Sequence, residues 1–190
     1  MTPARRELAR WAIVECTRPR DLSARVQALA REEGVKPPTV WRSMSEVIRD
    51  SLDARKEALR LGGYPPMHIG SGVTVILHGP AVGQGRPRIM GGRAAGSGLA
   101  SEWARLRAES AWVQQRELGP VLCADAFMCR IEVYRPKGRL VKPDPDNVAK
   151  LHLDALGDAG CIVNDARCRS LAVDVLAGQE RVQVMLIACL

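Results

Sequence analysis

The chain has 190 residues, of which 46% are hydrophobic and 26% are charged, as in an ordinary soluble protein of one domain or one domain with an appendage. Its net charge of +7 favours a polyanionic partner. Its six cysteines form neither a CxxC pair nor a zinc-site spacing, so we expect reduced thiols in a cytoplasmic protein. No apolar run of about 18 residues and no signal peptide are found, so no membrane association is expected.

Residues 1–62 are predicted to form an all-helical domain. Apolar residues at helical spacing predict a first amphipathic helix, and Asp21 or Ser23 can cap a second helix that ends at Gly34. Thr39 can cap a third helix, which Gly62 and the following glycine end. The Gly/Pro-rich stretch 63–72 is then predicted to be a linker.

Part of this helical segment resembles a helix-turn-helix. Ala30, Gly34 and Val40 have the spacing that the motif requires. Small helical bundles satisfy the same pattern, so a packing or dimerisation module is an equal alternative. Under the DNA-binding interpretation three residues of the third helix would face DNA: Thr39, Trp41 and Arg42.

In residues 73–190 the spacing of apolar residues changes to one that predicts both strands and helices, as in a mixed α+β domain. The pattern predicts the order β-α-β-α-β-β, with one layer of helix on a mixed sheet. A flexible basic loop is predicted after the first strand, and a hairpin at Gly178 is predicted to join the last two strands. The predicted elements are strands at 73–79, 121–136, 170–178 and 181–189, and helices at 99–118 and from about Asp146.

The stretch "KPDPDNVAK" concentrates acids in a basic chain. Asp144 and Asp146 flank a proline, and Asp146 is predicted to cap the following helix. Asp146, Lys150 and Asp154 are spaced i, i+4, i+8 along one face, and Asp165 can approach from a neighbouring turn. Carboxylate oxygens are what Mg²⁺ prefers. A helix cap with a salt bridge on a solvated face explains the same residues equally well.

Two basic segments precede this acidic stretch in the sequence. The glycine-rich loop "GQGRPRIMGGR" lacks the GK[ST] of a phosphate-binding loop, so no nucleotide cofactor is expected. Contact with DNA phosphates is favoured over simple solvation because the charges lie beside a candidate metal site. The residues are Arg86, Arg88, Arg93, Arg135, Lys137, Arg139 and Lys142.

The segment "DPDNVAKLHLDALGDAGCIVNDARC" resembles the RusA-type Holliday junction resolvases, and the similarity extends over about residues 73–190. The resemblance implies a RusA-like fold and a bacterial or phage-encoded homodimer. It further implies an endonuclease that cuts four-way or other branched DNA in recombination and repair. The implied cofactor is Mg²⁺, with Mn²⁺ as a substitute.

Carried over residue by residue, the resemblance implies that Asp144, Asp146 and Asp165 bind the metal. Lys150 would act beside the scissile phosphate. The implied supporting residues are Asn147, Asp154 and Asn164, although Asn164 stands where the family often has an aspartate. Two alternatives stay open: a non-catalytic DNA-binding regulator that keeps the fold, and another metal-dependent phosphoesterase.

Overall fold

The computed structural model describes residues 1–63, 66–84, 88–90, 93–95, 98–121, 126–138 and 144–189. Its helices are α1 (Pro3–Val14), α2 (Pro19–Glu32), α3 (Pro37–Leu61), α4 (Leu99–Leu118) and α5 (Pro145–Asp158). Its strands are β1 (Gly72–His78), β2 (Arg88–Met90), β3 (Arg93–Ala95), β4 (Ala126–Arg135), β5 (Cys168–Ala177) and β6 (Arg181–Cys189). A 3₁₀ turn, Asp165–Arg167, precedes β5. Within the described ranges no helix is both long and apolar enough to cross a membrane.

Prolines set where the N-terminal helices begin. The predictions that Asp21 or Ser23 caps α2 and that Thr39 caps α3 were wrong, since these helices begin at Pro19 and Pro37. Proline fits the first helical position because its φ is already helical and no N–H is needed there. The helix α3 then continues unbroken for 25 residues.

The main sheet has the strand order β1-β6-β4-β5. The strands β4 and β5 pair in parallel through the crossover helix α5, while β6 pairs antiparallel with both β1 and β4. The predicted α+β class, mixed sheet and all-helical N-terminal segment are therefore confirmed.

The prediction of a hairpin between β5 and β6 was wrong, because β4 lies between them. The connection must cross the end of β4, a span of about 10 Å for two strand spacings. Its backbone is held on both sides: Gly178 N–H donates to the Arg135 carbonyl at 2.8 Å, and Gly79 N–H donates to the Glu180 carbonyl at 2.9 Å.

The region predicted as a flexible basic loop contains a small two-stranded sheet instead. The strands β2 and β3 pair antiparallel, with Arg88 opposite Ala95 and Met90 opposite Arg93. The sequence between them is Gly91-Gly92, a dipeptide that favours a tight hairpin turn.

One hydrophobic core joins the sheet to all the major helices. The inner face of the sheet buries alternate residues of β4 and β6, including Phe127, Ile131 and Val184. This face packs against α4 and α5, and the helices α1–α3 pack against α4. The Trp103 indole N–H, fully buried on α4, donates to the Ala12 carbonyl of α1 at 2.8 Å. The helical segment thus packs against the α+β region through α4. The predicted linker at 63–72 stays a prediction.

Candidate active site

The first turn of α5 presents two exposed carboxylates. Asp144 is the N-cap, and its Oδ1 accepts from the Asp146 N–H at 3.1 Å. The prediction that Asp146 caps the helix was wrong, because Pro145 occupies the first helical position and leaves the cap to the residue before it. The Asp146 side chain is thereby left at the exposed helix start.

Asn147 orients the Asp144 carboxylate. Its side-chain amide donates to Asp144 Oδ2 at 2.8 Å, so both carboxylate oxygens of Asp144 accept hydrogen bonds. A carboxylate fixed in this way keeps remaining lone pairs directed outward, which suits a cation ligand. This hydrogen bond is how Asn147 would support the site: it fixes the orientation of the Asp144 carboxylate.

Lys150 lies one turn further along α5 and is exposed. Its side chain makes no ion pair or hydrogen bond with another described residue, so the i,i+4 salt bridge considered from the sequence is not formed. Asp154 follows after another turn and is half-buried. The opposite face of α5 is buried as expected, with Val148, Leu151 and Leu156 in the core.

Asp165 lies at the other end of α5. It begins the 3₁₀ turn before β5, which starts beside Phe127 at the N-terminal end of β4. The 14 residues of α5 run back along the sheet, a length of about 20 Å at 1.5 Å per residue. Within one chain the structure therefore brings Asp144, Asp146 and Lys150 together and keeps Asp165 apart. Over the described ranges no group of three or more His, Cys, Asp or Glu is placed to hold a metal ion.

Asn164 caps the 3₁₀ turn that carries Asp165. Its Oδ1 accepts from the Ala166 N–H at 2.8 Å. Asparagine and aspartate serve equally well as such caps. An asparagine at this position is therefore compatible with the local structure.

The loop after β1 supports the start of α5. Gln84 N–H donates to the Asn147 carbonyl at 2.8 Å. A Cβ at Gly83 would lie 2.9 Å from the Asn147 Cβ, so this position needs glycine for close approach. Ser101 Oγ at the start of α4 donates to the Gly83 carbonyl at 3.0 Å. Sequence reasoning missed this support, because nothing local connects Gly83 to a helix more than sixty residues later.

The inner face of α5 carries a buried histidine. His152 is 3% exposed, and burial lowers the pKa of its imidazole to about 4, so it is neutral at pH 7. It lines a small cavity with Arg107, Trp103 and Leu77. Burial likewise lowers the pKa of the Arg107 guanidinium. These groups lie behind the helix and away from the exposed acids.

The predicted DNA-binding residues fall in several places. Arg135 ends β4 and is half-buried, Lys137 is exposed just beyond it, and Arg88 and Arg93 belong to β2 and β3. Thr39 and Arg42 are exposed at the start of α3. Arg86, Arg139 and Lys142 lie outside the described residues.

Trp41 has a different environment from its neighbours on α3. Its side chain is 8% exposed, and its indole N–H donates to Glu102 of α4 at 2.7 Å. Lys56 of α3 pairs with the buried Glu109 of α4 at 2.8 Å. The side chain of Trp41 thus contributes to the α3–α4 contact.

Two exposed acids and an exposed lysine therefore lie near the start of α5, and the basic residues Arg135 and Lys137 lie at the end of the strand that precedes it. The family model described as Endodeoxyribonuclease RusA matches residues 78–187, which is more than half of the chain. The chain belongs to the RusA endodeoxyribonuclease family, and the resemblance found in the sequence is confirmed. Membership implies a nuclease activity of the Holliday junction resolvase type. A search of curated proteins gave no match.

Proposed function

We propose that this protein is a divalent-metal-dependent endonuclease that resolves four-way DNA junctions as a homodimer, in recombination or repair. The observation that carries the proposal is the first turn of α5. There the exposed Asp144 and Asp146 lie one turn from the exposed Lys150.

The residues at this helix start fit a magnesium ion. Mg²⁺ is usually held by one or two carboxylates, with water and substrate phosphate in the remaining positions. Asp144 and Asp146 supply that pair, and Asn147 fixes one of them through its amide at 2.8 Å. A bound Mg²⁺ would polarise the scissile phosphate and lower the pKa of an attacking water.

The side chains of this chain would act around the phosphate as follows. Asp144 and Asp146 hold the cation against an otherwise basic surface. The Lys150 ammonium offsets the negative charge that builds up on the phosphoryl and leaving oxygens. Lys137, at the exposed end of β4, supplies positive charge on the approach.

The position of Asp165 supports the homodimer. Asp165 follows the far end of α5, a helix about 20 Å long, and the described acids of one chain form no group of three that could hold a metal ion. In a two-fold symmetric dimer the partner's Asp165 can complete the site that Asp144 and Asp146 begin. A four-way junction is cut at two symmetric positions, which matches two such shared sites.

The first experiment is cleavage of a synthetic four-way junction with Mg²⁺ or with EDTA, with a linear duplex as control. Asp146→Asn should bind the junction as well as the wild-type protein does, and it should lose Mg²⁺-dependent cleavage. The matched control is Asp50→Asn, which neutralises an exposed aspartate of α3 and should leave cleavage intact. Undiminished cleavage by Asp146→Asn would exclude the metal site.

Mixing two inactive variants tests whether the site is shared between subunits. If Asp146→Asn and Asp165→Asn subunits exchange, each mixed dimer has one doubly altered site and one intact site. Random mixing should then restore about a quarter of wild-type sites, seen as single-strand nicking. If all three acids act within one chain, both sites of a mixed dimer stay altered and no nicking returns.

A further inference from the structure

The connection between α1 and α2 lies directly against the end of β1. A Cβ built at Gly79 would lie 2.0 Å from the Thr17 carbonyl oxygen, so only glycine permits this approach. Gly79 also has φ of +113°, a conformation that other residues rarely adopt. The connection from the helical segment is thereby fixed beside the loop that leads to the candidate active site.

A groove of about 480 Å³ lies between this connection and the sheet end. The groove is lined by Arg18, Pro19 and Arg20, by the loop 80–82, and by Pro136 and Glu180. The side chains of Arg18 and Arg20 are 46% and 75% exposed. Of the described residues that line the groove, Glu180 is the acidic one, and its carboxylate lies 3.6 Å from the Arg18 guanidinium.

Two segments that line the groove lead along the chain toward the candidate active site. The loop that lines it proceeds to Gly83 and Gln84, which contact Asn147 in the first turn of α5. On the other side Pro136 is followed by the exposed Lys137, and the chain then leads to Asp144. A strand of DNA whose phosphate lay at Asp144 would therefore have its neighbouring phosphates beside the groove.

We infer that Arg18 and Arg20 bind the sugar-phosphate backbone of the junction arm next to the cleaved strand. The inference rests on the proposed function. It adds to the DNA-binding surface two residues that lie outside the matched family region, 78–187. Guanidinium groups suit this role because they bind phosphate through two parallel hydrogen bonds. The close contact of Thr17 with Gly79 makes the connection a fixed wall of the DNA approach.

The experiment measures binding of an uncut four-way junction, in EDTA, by the full chain with Arg18→Ala and Arg20→Ala together. Each phosphate contact contributes about one unit to the slope of log affinity against log salt. The slope should therefore fall by about 2, and affinity should fall on the order of tenfold per arginine at 0.1 M salt. The double substitution to Lys keeps both charges and should retain most of the slope.

The matched control replaces Arg6 and Arg60, two exposed arginines near the other end of α1 and in the last turn of α3, by Ala. It removes the same charge from the same segment and should leave the slope unchanged. Equal slopes for both alanine pairs would overturn the inference, as would an Arg20→Ala single variant with wild-type binding. Failure of the wild-type chain to bind or cut a junction would instead refute the proposed function.

Discussion

The buried imidazole of His152 makes the stability of the protein depend on pH. His152 is 3% exposed, its Nδ1 has no hydrogen-bond partner among the described residues, and burial lowers its pKa from 6.5 to about 4. In the unfolded chain the imidazole takes up a proton below about pH 6.5. The unfolded state therefore binds more protons between pH 6.5 and 4, and the free energy of unfolding falls as the pH falls through this window.

The size of the effect follows from the two pKa values. A difference of about 2.5 units corresponds to roughly 3 kcal/mol when the pH has fallen below both values. Between pH 7 and pH 5 the loss is about 2 kcal/mol, because the folded-state imidazole stays neutral over that range. The full stabilisation is present above the unfolded pKa.

Urea unfolding of the wild-type chain and of His152→Phe, each at pH 7 and pH 5, measures this term. Carboxylates contribute equally to both proteins, so the variant should lose about 2 kcal/mol less than the wild type between the two pH values. His78→Gln is the control, since it removes an exposed imidazole, and it should lose as much as the wild type. The same pH dependence in His152→Phe and wild type would refute the reasoning.

Three further predictions test the supports of the site. Gly79→Ala should lower the free energy of unfolding by roughly 3 kcal/mol, because the added Cβ would collide with the Thr17 carbonyl. The control is Gly34→Ala, where φ is +67° and no atom is close, and it should lower the free energy of unfolding by about 1 kcal/mol. Urea unfolding of both variants measures the difference. Asn164→Ala should cost about 1 kcal/mol by removing the cap on Ala166, while Asn164→Asp should keep the stability and the junction cleavage rate. A chain that begins near residue 63 should bind a hydrophobic dye and unfold without cooperativity, because α4 loses its contact with α1–α3. Cooperative unfolding and full junction cleavage by this shortened chain would show that residues 1–62 are dispensable.

Local sequence patterns predicted the elements well wherever the local signal also decided the structure. The helix α4 has the predicted bounds, and β4 lies within the strand predicted at 121–136. The hairpin at Gly178 was predicted from a glycine between two strands. That local signal is the same whether the strands pair with each other or with β4, and the parallel crossover through α5 decided the pairing.

Only the part of the candidate site that lies close together in the sequence could be predicted from local patterns. Asp144, Asp146 and Lys150 lie within seven residues, so helix geometry alone places them together. The separation of Asp165 depends on β5 running parallel to β4, which no local pattern reveals. For Trp41, local spacing alone suggested a residue that faces DNA. Its indole N–H instead donates to Glu102, a residue sixty-one positions away that no local pattern connects to it.

The last strand of the chain, β6, occupies a central position in the sheet, between β1 and β4. Because β6 pairs with both β1 and β4, a change that removed this strand would disrupt two strand pairings and would detach β1 from the rest of the sheet.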